Sequence, residues 1–427
     1  MLGLGKNNSN KWMAGILPAY ITTGPLATLI PLYLISIGGS VLDVSYAITL
    51  ASAITIPAVI FWGYIADYYN RRKTLIVMSY LATTLLLASL FFIKNPIGII
   101  TIYTAIAFAS AASAVPMNLL VIEKARESKW ANNFAFLQML MNLGTSIGLA
   151  VAWLWAGVFG LRMLILVLTI PSLLSAIIAQ KLIKEPPFRI RAAISSVSNK
   201  FFSLVYDLVA LPNFIMSIPS KEHFKSISRL FSFKKIIGPE RRFVKIFYVI
   251  SFLFFFGTAL VNTEYPVALK LGGLSEASIF FIYLASISIQ GVIFYYYGKL
   301  TENSDKRTIS RGVLLLRATS YVFMGLSLLF VKGPFFFIDN LLLYVIGAGI
   351  AYGIYYPTTY LIFFGTIRKS NKGATLGTYS AVVGAGTLFG ALASGIISVS
   401  YGFSAAFMSA GALMLVCIYV FAILPRK

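Results

Sequence analysis

The chain holds one cysteine, Cys417, and one histidine, His223, among 427 residues. A lone cysteine closes no disulfide within the chain and builds no cysteine metal site. A lone histidine, set in a polar loop, leaves no Ser-His-Asp or Cys-His pairing to assemble inside the apolar segments. No metal site or cofactor is implied. Acid is scarce as well, with 13 Asp and Glu against 35 Lys and Arg, a formal net charge of +22. Charged residues of both signs make up 11% of the chain, where a soluble domain carries about 25%. So few charges, gathered in clusters, cannot clothe a water-facing surface. A soluble enzyme, a disordered regulator and a DNA-binding module are thereby excluded.

What is abundant is apolar sequence: 59% of residues are hydrophobic and the mean hydropathy is +0.85. Runs long enough to span a bilayer fall near 12–37, 43–64, 74–93, 97–121, 133–158 and 162–181, then near 244–269, 276–298, 309–331, 335–364, 374–398 and 403–424. They neither alternate nor stop at about ten residues, so they read as helices rather than barrel strands. The expectation is an all-α membrane protein of twelve transmembrane helices in two pseudo-symmetric six-helix bundles, 1–182 and 244–427, joined by a cytoplasmic linker, 183–243. Within the linker Phe201, Leu204, Val205, Leu208 and Val209 repeat at helical spacing and predict an amphipathic helix at the inner interface. Met1–Asn10 is short and polar, and the apolar run after it is too long for a cleaved signal.

The basic residues orient the chain. With the N-terminus inside, 30 Lys and Arg fall in inner segments and four, Lys94, Arg162, Lys270 and Lys332, fall outside. This places both termini in the cytoplasm. It accounts for the positive charge through orientation and attraction to anionic lipid, and nucleic acid is not an expected partner.

The halves repeat. Gly38-Gly39 aligns with Gly272-Gly273 and Ala51-Ser52 with Ala285-Ser286 at an offset of 234, while Gly63 meets Gly298 one residue out of step. On the 234 register Thr28 corresponds to Asn262. Duplication of this kind puts a solute site at the interface of the repeats.

The most specific local feature is Gly63-Tyr-Ile-Ala-Asp67-Tyr-Tyr-Asn-Arg71-Arg72-Lys73, with a second copy in Gly298, Glu302, Lys306 and Arg307. Each copy sets a glycine, an acid one turn later and a basic cluster at the inner surface. There an acid can sit against a neighbouring helix N-terminus. This pattern resembles the loop signature of the major facilitator superfamily, and the resemblance extends over the twelve spans and the six-plus-six duplication. It departs at Asn70 and at Asp305, where the family usually has Gly, and at Glu302, where it usually has Asp. By resemblance, Asp67 would meet the start of the eleventh span near Gly373-Ala374, and Glu302 the start of the fifth near Asn132. Together the two loops would gate the inner side. The fourth span lacks an Arg used by many proton-coupled members, and Leu149 follows Gly144-x-x-x-Gly148 where exporters usually carry Pro.

Polar side chains at helical spacing give the candidate solute contacts. They are Tyr20 and Thr28 on the first span, Gln138 and Asn142 on the fifth, Asn262 on the seventh, Tyr283 and Gln290 on the eighth, and Tyr352 and Tyr356 on the tenth. In the resembled family these spans line the cavity. Glu264 is the sole acid well inside a span, where a charge costs about 3 kcal/mol on insertion scales, and it is the candidate proton-coupling site. Asn262 and Glu264 lie about 200° apart on a regular helix, so both reach the cavity only if the helix breaks near Pro266. Arg317, two turns into the ninth span, is expected to snorkel to the inner surface. The whole reads as a secondary transporter of a small organic solute, acting as a monomer among membrane lipids. The rivals are a substrate-sensing receptor of the same fold and, less suited to a chain without intramembrane histidine, a membrane enzyme.

Overall fold

The computed structural model describes residues 8–69, 71–123, 130–183, 242–301, 305–364 and 372–424. The expected linker and its amphipathic helix fall almost wholly outside these residues. A 3-10 turn, Asn8–Gly15, leads into α1 (Ile16–Thr23), α2 (Leu26–Ser36), α3 (Val41–Tyr69), α4 (Arg72–Leu90), α5 (Pro96–Glu123) and α6 (Trp130–Leu182). Then follow α7 (Arg242–Asn262), α8 (Tyr265–Leu271), α9 (Glu276–Thr301), α10 (Lys306–Phe330), α11 (Pro334–Tyr344), a π-helical segment (Val345–Ala351), α12 (Tyr352–Phe364), α13 (Lys372–Tyr401) and α14 (Phe403–Ala422). Every described element is helical.

Among the described residues, eleven helical runs are long and apolar enough to cross a membrane. One of them, Phe136–Leu182, has 47 residues, about 70 Å if straight and twice the hydrocarbon thickness. It is two spans. At Gly160 the backbone turns to φ 74°, ψ 168°, a left-handed conformation open to glycine. Both limbs then return to the same end of the first span: Gly144 packs on the Leu17 carbonyl, while Gly15 packs on Ile178 and Ala179. Twelve spans result among the described residues, as the hydropathy predicts. Their outer faces are greasy, with Leu85 and Val158 each 70% exposed and Phe330 78%. Such a surface is stable against lipid and not against water.

Backbone geometry makes the duplication explicit and corrects its register. At the end of α2 the Gly38 N–H donates to the Ile35 carbonyl and the Gly39 N–H to the Leu34 carbonyl. At the end of α8 the Gly273 N–H donates to Lys270 and the Leu274 N–H to Leu269. Ser40 and Asp43 then cap α3, and Ser275 and Ser278 cap α9. All of these pairs are 235 residues apart, not 234. The glycine doublets align by letter, but the left-handed turn needs Gly38 in one copy (φ 87°) and Gly273 in the other (φ 97°). The counterpart of Thr28 is therefore Thr263, not Asn262, and Pro31 pairs with Pro266.

A second repeat was not read from the sequence. Gly144 and Gly148 seat α6 on the carbonyls of Leu17 and Ile21; Gly386 and Gly390 seat α13 on those of Phe252 and Phe256. The carbonyls are again 235 apart and the glycines 242. Both are close helix crossings that only a missing Cβ permits.

Candidate functional site

The segments before and after the linker meet at the end of the molecule that carries Gly38 and Gly273. Ser45 on α3 packs against Gly395 on α13, and Ile56 against Gly384. Gly157 on α6 faces Ala277 on α9, where an added Cβ would stand 3.5 Å from the alanine Cβ. Trp153 and Phe281 pack nearby with ring centroids 5.1 Å apart. These contacts run from the Gly38 end to mid-span. A separate hollow of 530 Å³ opens at this end, lined by Tyr33, Ser36, Lys94, Phe159, Arg162 and Glu276 among others.

Glu264 sits in this junction. The seventh span breaks between α7 and α8, as joint access for Asn262 and Glu264 requires. Pro266 opens α8, where its missing N–H costs nothing. The break leaves Asn262 exposed at the end of α7 and turns Glu264 inward to full burial. The Ser45 hydroxyl donates to Glu264 Oε1 at 2.6 Å, joining residues 219 apart in sequence. Oε2 is buried without a partner among the described residues. A bare anionic oxygen is costly in such a place, so this closed arrangement suits the neutral acid.

The opposite end carries the basic clusters. Arg72 is buried, and its guanidinium donates to the Ala66 carbonyl in the last turn of α3. A cation there favours a helix C-terminus. Arg307 reaches across to the Leu424 carbonyl beyond α14 at 3.0 Å. Arg71 and Lys306 are exposed. Gly63 faces Val115 on α5, with ordinary room for a side-chain Cβ. Gly298 lies in α9. The side chain of Asp67 and the whole of Glu302, hence the acid half of each motif, lie outside the described residues.

Asp305 departs from the resembled pattern for a local reason. It is the N-cap of α10, accepting from the Arg307 and Thr308 N–H groups and, at 2.8 Å, from the Thr308 hydroxyl. That hydroxyl, first among several donors, holds its carboxyl below the usual carboxylate range. A lowered folded value means stability that is present at neutral pH and lost as pH falls through the carboxylate range. Asp305→Ala should therefore cost about 1 kcal/mol near pH 7. In thermal unfolding the gap from the unsubstituted protein should close on acidification below about pH 4.

The expected solute contacts separate into groups. Tyr20, Asn142, Tyr283, Tyr352 and Tyr356 are half-buried, Gln138 is exposed, and Thr28 and Gln290 are buried. Tyr283 belongs to an aromatic knot with Tyr344 at 4.8 Å and Tyr265 at 6.1 Å. Thr145, on the same stripe as Gln138 and Asn142, packs against Gly24. Tyr352 and Tyr356 stack at 5.5 Å and 19°. Tyr352 continues to Phe254 at 6.2 Å and 25°, and Phe254 to Tyr355 at 4.0 Å and 18°. A shelf of near-parallel rings thus spans α7 and α12.

Behind the shelf lies Arg317, and here the expectation fails. It does not snorkel; it is 1% exposed. One guanidinium nitrogen donates to the Gly347 carbonyl at 2.8 Å and the other to Thr258 Oγ1 at 3.1 Å. Its carbon stands 4.9 Å from the Phe254 ring centroid, 5.0 Å from Tyr321 and 5.4 Å from Tyr352. Aromatic faces, the Thr258 hydroxyl and a carbonyl of the π segment hold the charge inside the bundle, while its Nε is buried without a partner among the described residues. No carboxylate pairs with it among the described residues. The sequence signal was present in Phe254, Tyr321 and Tyr352, but nothing in periodicity joins three helices.

The family model described as Major Facilitator Superfamily matches residues 12–338 and 247–427. No curated protein matches. Among solved structures, the nucleoside transporter NupG is similar at TM-score 0.72 and 11% identity, over 99% of this chain and 100% of that one. The peptide transporter POT, as a point mutant in complex with sulfate, gives 0.67 and 14% over 97% and 94%. The xylose transporter XylE from E. coli, partially occluded and inward open, gives 0.67 and 11% over 98% and 99%. At such identities these likenesses establish the fold.

Proposed function

The chain belongs to the major facilitator superfamily and is a multi-pass secondary transporter of small solutes; we propose that it works by alternating access across the cell membrane, with the Gly38 end outside and both termini in the cytoplasm. Residues 1–182 and 244–427 act as the two rocking halves. The loops at Asp67 and Glu302, with Gly63, Arg71, Arg72, Gly298, Lys306 and Arg307, form the inner gate. The solute occupies the space between the halves, against Tyr20, Asn142, Asn262, Tyr352 and Tyr356. The Tyr-rich, charge-poor character of these residues suits sugars, aromatic compounds or other amphiphiles.

The observation that carries the reading is the Ser45–Glu264 hydrogen bond between the halves. It exists only while the outer ends touch. Opening that side would break it and expose the carboxyl to water, which ties proton binding to conformation. Glu264 is thus the proton site, and it protonates where the outer side closes. Reconstituted protein should take up solute saturably from a panel of sugars, nucleosides, peptides and aromatic compounds. Saturable binding with no flux for any bound compound would favour the receptor reading instead.

A further inference from the structure

Going beyond the transport reading, we propose that the hollow at the Gly38 end is a binding site for an organic oxyanion, a phosphate or carboxylate carried on a small apolar body, and that Arg162 and Lys94 hold the anion. The hollow measures 530 Å³ and takes walls from both halves: Ser36, Ile37, Lys94, Phe159 and Arg162 from the first, Glu276 from the second. A space of that size admits a small molecule.

The chemistry of the walls selects the ligand. Arg162 is exposed but fixed. Its Nε donates to the Phe91 carbonyl at 3.0 Å, and its guanidinium carbon stands 4.6 Å from the Phe91 ring centroid. These contacts leave the two terminal nitrogens without a hydrogen-bond partner among the described residues. A fork held in this way matches the paired oxygens of a carboxylate or phosphate. Lys94 lies three residues after Phe91 on the same short loop. The Tyr33 hydroxyl ties that loop down a second time, donating to the Ile93 carbonyl at 3.2 Å. No acid pairs with either cation among the described residues. The acid that lines the hollow, Glu276, is engaged by Lys270 at 3.0 Å. The walls thus present two free positive charges and one compensated negative charge. Beside them Ile37 is half-buried and Phe159 is 58% exposed, an apolar surface for the body of the ligand. A soluble phosphate ester and a phospholipid headgroup both carry this chemistry.

The probe is phenyl phosphate, titrated calorimetrically into the purified full chain in an uncharged detergent at low ionic strength, where screening is least. It should bind saturably, and roughly fivefold more tightly than inorganic phosphate, which has no ring to bury. Lys94→Gln and Arg162→Gln should each weaken it about fivefold, the scale of an exposed charge pair. Glu276→Gln should tighten it by about the same factor, because Lys270 is then released to the anion. The Lys94 side chain makes none of the contacts that fix the loop, so Lys94→Gln reads charge alone, and melting temperatures without ligand check the folding of the others. Phosphatidylglycerol added to the same protein separates the two sources. Native mass spectrometry that finds this lipid retained by the unsubstituted protein, lost in Lys94→Gln and displaced by phenyl phosphate assigns the site to a headgroup; equal retention by both assigns it to a soluble ester. Absence of saturable phenyl phosphate binding, or an affinity unaltered in both Lys94→Gln and Arg162→Gln, overturns the site, while solute flux remains the separate test of transport.

Discussion

A disulfide between Gly157→Cys and Ala277→Cys is expected to stop transport outright, and reductant to restore it. The two positions face one another from α6 and α9 with a Cβ separation of 3.5 Å, within the range a disulfide accepts. Gly157 is exposed and Ala277 half-buried, so an oxidant reaches both. The native Cys417 is fully buried and will not compete. The bond pins the Gly38 ends of the halves together. If those ends must part in each cycle, flux falls by more than tenfold under oxidation, while each single cysteine variant transports as before. Flux unchanged in the fully oxidised double variant would mean that this contact does not open. Electrophoretic mobility after limited proteolysis in the linker reports the extent of the bond.

The second large effect belongs to Glu264→Gln. The amide keeps the shape of the neutral acid and can still accept from Ser45, so the closed Gly38 end is preserved. It can neither release nor take up a proton. Accumulation driven by an inward pH gradient should fall by more than tenfold, and exchange of labelled for unlabelled solute at equal pH should stay within about twofold; an amide substituting for a protonated carboxyl has that consequence. The split between the two assays separates coupling from folding. Gradient-driven accumulation that survives in Glu264→Gln would remove the proton role from this residue. The resembled family's Arg in the fourth span is missing here, so no second buried group stands ready to take its place among the residues of that helix.

The sequence announced the helices because a bilayer asks for little else: about 20 apolar residues, charge outside them, and basic residues on one side. The break in the seventh span was also foreseeable, since Asn262, Glu264 and Pro266 conflict on a regular helix. Four features were hidden. The register of the duplication went astray by one because letters matched at Gly38-Gly39 and Gly272-Gly273 where backbone geometry did not. The paired crossings at Gly144 and Gly386 follow an offset of 242, so a search at 234 passes over them. Arg317 was misjudged because snorkelling describes a lone helix in lipid; a cage assembled from α7, α10 and α12 offers the cation a better place than the interface. Ser45 carries no signal of its own. Its value comes from Glu264, which only the tertiary fold brings beside it.

The central claim is that the two halves move as bodies, opening one end as the other closes. Paired spin labels report this directly, one pair at Ile97 and Phe335 near the Gly38 end and one at Lys181 and Lys306 near the basic end; all four side chains are exposed. As pH or bound solute shifts the population, the first distance should lengthen where the second shortens. Distances that stay fixed under every condition of active transport, or that lengthen together, would contradict the account.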